Sequence, residues 1–299
     1  MVEGRRALMP DTLAGTRAAA GAVARRRELR REASGQVLRA LGRSLLTFAL
    51  TLVVVLVLWT GAIELFGISS YVAKGPTDVW AYLVTDDDAG EHLARLGDDL
   101  GVSLVHAFIG FVAGLVVALL AATAFRLSQG VEHALMPVAM LLRSVPLIAL
   151  APLIILVFGR DVATVAVVAG IVVLFPALVN IVFGLHSASP QVLDVVTVYG
   201  GSSFTALRTV ALPASAPSFF AAVRISVPGA LTGALLVEWL ATGDGIGSTI
   251  QTAYSQVQFS LVWSAVVLVT AVSLVLYNLV QVVESIVLSR MGMTPRQGS

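Results

Sequence analysis

Six long apolar segments limit what this 299-residue chain can fold into. A helix needs about 20 apolar residues to cross the hydrocarbon core of a bilayer, and each segment meets that length. Charged residues make up only 12% of the chain, which is about half of what a soluble domain carries. The sequence therefore predicts an all-α membrane protein with six transmembrane helices, at about residues 44–63, 100–125, 134–158, 162–185, 218–241 and 261–288.

The arginines predict how these helices are oriented. Ten arginines precede residue 44, and the later arginines Arg126, Arg208, Arg290 and Arg296 fall on the same side of a six-helix arrangement. Cytoplasmic segments of membrane proteins carry an excess of arginine and lysine. Both termini are therefore expected in the cytoplasm.

Residues 1–43 are predicted to form a basic arm, followed by a six-span domain at 44–288 and a tail at 289–299. A basic arm can bind nucleic acid, but no aromatic residue interleaves these arginines and a membrane span follows directly. We therefore expect the arm to lie near anionic lipid, with no nucleic-acid partner.

The chain lacks the residues that several kinds of chemistry require. The chain has no cysteine, and its four histidines do not show metal-ligand spacing. A P-loop needs a lysine that reaches the phosphates, and the only lysine, Lys74, follows Ala73 rather than a glycine. The glycines from Gly243 to Gly247 predict a tight turn instead. We expect no catalytic residue, metal site or cofactor in this chain, and we do not expect an enzyme.

The segment between the fourth and fifth spans, at about residues 187–215, predicts two short helices. Ser189-Pro190 is typical of an N-cap followed by proline in the first helical turn. Gly200-Gly201 is expected to break that first helix, because glycine readily adopts a positive φ. Ser202 or Ser203 would then cap a second helix that ends before Pro213.

The residue order in this segment resembles the EAA loop of ABC importer permeases, whose pattern is E-A-A-x3-G-x9-I-x-L-P. Asp194 replaces the glutamate, two valines replace the alanines, and the glycine and the final Leu-Pro are kept. In that family the loop contacts a separate ATPase. The resemblance therefore assigns coupling to the ATPase to Asp194, Tyr199, Gly200, Gly201, Val210, Leu212 and Pro213.

A wider resemblance covers about residues 95–260. Residues 142–153, 175–180 and 224–247 look like the third, fourth and fifth spans of permeases for nitrate, sulfonate, taurine, bicarbonate and related small anions. The resemblance implies a type I ABC importer permease of the bacterial cytoplasmic membrane, which moves a small anion inward by alternating access. It also implies two ATPase subunits that bind ATP and Mg, a second permease copy in a homodimer, and an extracytoplasmic solute-binding protein.

Charged residues within the predicted spans are candidates for the translocation path or for a gate. A charge at membrane depth is costly, so it usually faces protein or water and has a partner. Arg143, close to Pro146, either contacts a passing anion or anchors a gate through an ion pair. Arg224 either lines the path, or it snorkels or binds a neighbouring loop. Glu238 would gate, contact the binding protein or pair with a dimer mate, and His106 is expected to bond between helices.

Other functions stay open at the level of the sequence. An ion-coupled secondary transporter should carry acids in the middle of its spans, and Glu238 alone comes near that description. An intramembrane enzyme needs a nucleophile with a base, or a metal cluster, and a scaffold needs neither. For an importer, a thiamine-precursor pyrimidine or another small nutrient is the alternative to a small anion.

Overall fold

The structure is a computed structural model that describes residues 46–293. Helices and their connections make up this part of the chain, and residues 46–293 include no β-strand. The predicted all-α fold is therefore confirmed. The predicted basic arm at residues 1–43 lies outside the described residues, as do residues 294–299 of the predicted tail.

The chain divides after Ser69 into two compact units. Within the described residues, the first unit is built around one helix, α1, which runs from Leu46 to Leu65 and is long and apolar enough to cross a membrane. Its bounds lie close to those of the predicted first span.

The second unit contains the remaining helices. Three π-helical turns follow helices in this unit, at Ala81–Thr85, Leu207–Ala211 and Glu238–Thr242. The helices are α2 Pro76–Trp80, α3 Ala89–Leu127, α4 Gln129–Arg143, α5 Leu147–Phe158, α6 Val162–His186, α7 Pro190–Val198, α8 Ser203–Ala206, α9 Leu212–Ala214, α10 Ala216–Val237, α11 Gly245–Ser255 and α12 Phe259–Arg290.

Five helices of the described chain are long and apolar enough to span a bilayer: α1, α3, α6, α10 with the turn that follows it, and α12. The predicted third span is a pair of shorter helices, α4 and α5, bent by 100°. Pro146 lies in the break, where it disfavours helical geometry at the residue before it. Counted as one broken span, this pair brings the number to the predicted six.

Helix α3 begins at Ala89, well before the predicted start near residue 100. Its first turns carry charge, which made them look like a loop in the sequence. One face of these turns is nevertheless apolar, and Leu96 is fully buried in a cluster with Ile246 and Leu261. Burial of this face against α11 and α12 stabilises the extra helical turns.

Helices α3, α6 and α10 form the centre of the second unit, and small residues line the seam between them. A Cβ atom added to Gly110 of α3 or to Gly233 of α10 would collide with Ala169 of α6. Lipid tails are as apolar as leucine, so helices associate in a membrane largely through close packing of this kind. The seam therefore fixes the positions of the three helices whose ends carry the candidate site.

Candidate functional site

The segment between α6 and α10 contains the predicted helix break. Gly200 follows α7 with φ +79°, a conformation that residues with a Cβ disfavour. The N–H of Gly201 donates to the carbonyl of Val196 at 2.8 Å, and the N–H of Gly200 donates to that of Thr197 at 2.9 Å. This pair of bonds is the Schellman arrangement that ends many helices. The backbone therefore favours glycine at position 200.

The two predicted serine caps have different outcomes. Ser202 caps α8, because its Oγ accepts a hydrogen bond from the N–H of Thr205 at 3.3 Å. Ser189 occupies the N-cap position of α7 with Pro190 directly after it, as predicted, but its side chain makes no capping hydrogen bond. Its hydroxyl donates instead to Oε1 of Gln191, in the first turn of the same helix, at 2.5 Å.

The second helix was predicted to end before Pro213, and that prediction was wrong. Helical structure continues through the π-helical turn Leu207–Ala211 into α9, Leu212–Ala214. In this wider turn the N–H of Leu212 donates to the carbonyl of Leu207. The prediction failed because it assumed an α-helical backbone, in which the proline ring clashes with the carbonyl four residues earlier.

One side of this segment is anchored in the helix bundle. Leu207 and Ala211 are buried in one cluster with Phe125 of α3 and Ile181 and Leu185 of α6. Burial of large apolar side chains contributes roughly 1.5–3 kcal/mol each. The segment is thereby held in place by the ends of the two helices that lie beside it.

The opposite side of the segment exposes large apolar side chains, and we call it the loop face. Val198 and Tyr199 at the end of α7 are 83% and 87% exposed. A cluster of exposed apolar side chains often marks a site of protein interaction. The loop face consists of Val192, Val195, Val198, Tyr199 and Phe204.

The predicted coupling residues lie on or beside this face. Asp194 is exposed on α7 and Tyr199 directly after it, and Leu212 and Pro213 are exposed at the far end of the segment. Gly201 and Val210 are partly buried. The structure brings these residues into one short segment, while their role in coupling stays a prediction.

Arg143 is the last residue of α4, directly before the break that contains Pro146. Both residues are exposed in the described chain. The structure therefore places the guanidinium of Arg143 at an open, broken helix end rather than inside the packed bundle.

Arg224 has a different environment, on α10. Its Nη1 lies 3.2 Å from Oε2 of Glu284 on α12, and its guanidinium lies 5.6 Å from the centre of the Tyr277 ring. A neighbouring loop was one expected partner of Arg224, but the structure pairs it with the helix α12 instead. An arginine that is paired in this way has less charge to offer to a solute.

Glu238 follows α10 and is 1% exposed. Its Oε2 accepts a hydrogen bond from the hydroxyl of Ser103 at 2.7 Å and another from the N–H of Gly247 at 2.9 Å. Nδ1 of His106 lies 2.9 Å from Oε1. A buried carboxylate is tolerated only when it is bonded in this way. The predicted bonding role of His106 is confirmed, and Glu238 is held by its own chain.

The predicted glycine turn forms part of the same site. Gly243 has φ +81° and Gly245 has φ +78°. A Cβ atom at Gly245 would lie 2.5–2.7 Å from the carboxylate atoms of Glu238. The N–H of Ile246 donates to Oγ of Ser103 at 2.8 Å, so the turn closes over the carboxylate.

Sequence reasoning missed this network as a unit. It treated Glu238, the glycine turn and His106 separately, and it did not select Ser103. A signal was present, because Ser103 and His106 are three residues apart and share one face of a helix within an apolar segment. Nothing in the local sequence, however, indicates that this face meets Glu238.

Comparisons with known proteins identify the family. Residues 110–291 match the family described as the binding-protein-dependent transport system inner membrane component. The chain belongs to this family. The matched region includes the whole segment from α6 to α10, whereas Ser103 and His106 precede it.

Individual permeases are also similar to this chain. A Haemophilus influenzae protein named as a probable ABC transporter permease is 28% identical, over 75% of this chain and 89% of that protein. A riboflavin transport permease of Chloroflexus aurantiacus is 28% identical, over 78% and 86%. An Escherichia coli permease named for aliphatic sulfonates is 27% identical, over 72% and 80%.

The fold is also similar to that of a solved transporter. One chain of a bacterial ABC transporter involved in alginate import matches with a TM-score of 0.50 at 16% identity. The match covers 83% of this chain and 98% of the other. The inner-membrane permease described here thus shares its fold with an ABC transporter subunit.

Replacing Glu238 with glutamine should destabilise this permease. A glutamine amide cannot accept from all three donors, because its NH2 group would face one of them. We expect the Glu238→Gln variant to lose about 1–3 kcal/mol of stability, seen as a lower midpoint in thermal unfolding of the purified protein in detergent.

The control is Glu64→Gln, which alters an exposed acid near the end of α1. This variant should unfold at the wild-type temperature. Equal midpoints for Glu238→Gln and the wild type would contradict the structural role of the buried network.

Proposed function

We propose that this permease moves a small anionic solute into the cell, and that its loop face receives the motion of a separate ATPase. The loop face carries this proposal, because it combines exposed apolar side chains with a backbone that is firmly anchored below them. Such a surface suits a contact that must transmit force rather than merely bind.

The packing beneath the loop face supports a mechanical role. At the base of the segment, Gly184 of α6 has no room for a Cβ atom, because Ser215 and Ser218 at the start of α10 lie against it. A push on the loop face would therefore displace α6 and α10 together. Packed elements of this kind move as rigid bodies between discrete arrangements.

The proposed assembly contains more than this chain. It has two ATPase subunits, which bind ATP and Mg, a second copy of the permease, and an extracytoplasmic binding protein. The loop face and both termini lie in the cytoplasm in this proposal, consistent with the distribution of arginines. The exposed apolar side chains of α5, among them Leu156 and Val157, offer a surface for the second permease copy or for lipid.

Arg143 is the better candidate for contact with the solute. Arg224 is already paired with Glu284, whereas Arg143 is exposed at the break between α4 and α5. A guanidinium binds sulfonate, nitrate or carboxylate oxygens through paired hydrogen bonds. The name of the Escherichia coli relative, which refers to aliphatic sulfonates, is consistent with such a solute.

The name of the riboflavin permease keeps an uncharged nutrient as the second candidate. An ion-coupled carrier has less support, because the carboxylate of Glu238 is fully engaged within its own chain. Transport assays separate these possibilities, since only an anionic solute should depend on the charge of Arg143.

Substitution of Arg143 tests the solute proposal. In vesicles that contain the complete transporter and its binding protein, Arg143→Gln should lower uptake of an aliphatic sulfonate or nitrate by about tenfold or more, and Arg143→Lys by less. Uptake is measured with radiolabelled solute in the presence of ATP.

Copurification of the ATPase with each variant is the control for assembly. Wild-type anion uptake by Arg143→Gln would contradict the proposed contact. Uptake of a neutral nutrient but not of anions by the wild type would favour the second candidate.

Substitution of Gly200 tests the coupling proposal. A Cβ atom at this position meets nothing within 4 Å, so a larger residue is opposed by its φ and not by its size. Asparagine adopts a positive φ at a lower energetic cost than valine, whose β-branched side chain is strained there. We expect Gly200→Asn to copurify with the ATPase nearly as well as the wild type, and Gly200→Val to lose most of the bound ATPase.

Both variants should retain a folded bundle, which thermal unfolding checks independently. Full ATPase binding by a folded Gly200→Val variant would mean that the geometry of the loop face does not determine the contact.

A further inference from the structure

A cavity of about 480 Å³ lies beside the start of α12, at the end of the second unit that is remote from the loop face. Its volume falls within the range of about 300–1,000 Å³ that is typical of ligand sites. Its walls come from the segment before α2, the first turns of α3 and the connection from α11 to α12. They include Tyr71, Lys74, Tyr82, His92, Arg95 and Val257.

The cavity carries positive charge that its own walls do not neutralise. Lys74 and Arg95 both line it, and none of the lining residues is acidic. Acids are plentiful at this end of the chain, from Asp86 to Glu91. Even so, within residues 46–293 neither cation has a carboxylate oxygen within 4 Å. Two cations around one cavity repel each other, and a bound anion would relieve that repulsion.

Tyr82 adds a fixed hydrogen-bond donor to the same wall. Burial raises the pKa of its hydroxyl, an effect that the positive charge of Arg95 opposes, so the group keeps its proton at neutral pH. The ring stacks on that of His92 at 3.9 Å, and Nδ1 of His92 donates to the carbonyl of Tyr82 at 3.2 Å. These contacts hold the donor in place before any ligand arrives.

The connection between α11 and α12 closes the cavity with an unusual residue. Val257 has φ +60°, which is a strained conformation for a β-branched side chain. The N–H of Gln258 donates to the carbonyl of Ala253 at 2.8 Å, so Val257 occupies the position in this helix end where glycine is usual. Strain of this kind is found preferentially at binding sites, and here it places a side chain in the cavity wall.

The cavity lies where a membrane-spanning helix begins. Phe259 and Leu261, at the start of α12, form part of its wall. One turn further along, Nε1 of Trp263 donates to the carbonyl of Val72 at 2.9 Å. Tryptophan is enriched at the boundary between water and hydrocarbon, so the cavity lies near the level of the lipid headgroups.

We propose that this cavity binds a phosphate group, with Lys74 and Arg95 as the charged contacts and Tyr82 as a neutral donor. Guanidinium and ammonium groups together are suited to phosphate oxygens. The group belongs either to the headgroup of an anionic phospholipid or to inorganic phosphate. This site is independent of the proposed transport function.

The composition of the chain makes the proposal directly testable, because Lys74 is its only lysine. An amine-selective acylating reagent, followed by peptide mass spectrometry, therefore reports the reactivity of this one side chain. A bound anion would cover the amine of Lys74 and shield it from the reagent. We expect occupancy to slow the labelling of Lys74 by about fivefold or more.

The full chain is labelled in micelles of a maltoside detergent, which carries no phosphate, with and without inorganic phosphate, and in the same micelles with added phosphatidylglycerol. Potassium chloride at matched ionic strength corrects for screening. Slowing by inorganic phosphate supports the site with a free anion as its ligand. Slowing only with phosphatidylglycerol supports the site with a lipid headgroup as its ligand. Unchanged labelling in both cases overturns the proposal.

Two variants show whether the protection arises in this cavity. Arg95→Gln should abolish it, because one of the two charged contacts is lost. Arg160→Gln, which alters an exposed arginine outside the cavity wall, should retain the protection in full. Protection that persists unchanged in Arg95→Gln would also overturn the proposal.

Discussion

Close packing between α3, α6 and α10 is the constraint on which the second unit depends. Gly110, Gly233 and Ala169 allow the three helices to approach until no further side-chain atom fits between them. Where these small residues meet, close packing supplies the stability that burial from water would give a soluble protein. The seam leaves little freedom for one helix to move alone. A displacement of one of these helices therefore moves the other two with it.

The loop face and the hydrogen-bond network around Glu238 lie at opposite ends of this packed unit. Helix α10 starts at the base of the segment that bears the loop face, and it runs into Glu238 at its other end. There the buried carboxylate ties the helix to Ser103 of α3 and to Gly247 in the first turn of α11. In the proposed mechanism, a push on the loop face is therefore delivered to a helix whose far end is already fixed, which favours motion of the whole unit over bending of one helix.

The sequence predicted those features that local chemistry controls. Apolar length located the spans, and the conformational freedom of glycine located the turn at Gly200. Features that depend on partners distant in the sequence were not predictable, since Ser103 and Glu238 are separated by more than a hundred residues. The prediction that the second helix ends before Pro213 failed for another reason. It assumed an α-helical backbone, whereas a π-helical turn precedes this proline. Val196, which replaces an alanine of the EAA pattern, is accommodated locally. Its side chain occupies space beside Gly201 that a Cβ atom at position 201 would fill.

The most direct test of the account is a cross-link between the loop face and the ATPase. The natural chain has no cysteine, so Tyr199→Cys introduces one unique attachment point, and Tyr254→Cys provides an exposed aromatic position at the other end of the unit as its control. A short thiol-reactive cross-linker added to the assembled transporter should join the ATPase to position 199 and not to position 254. Cross-linking at neither position, or at 254 alone, would contradict the assignment of the loop face as the site of coupling.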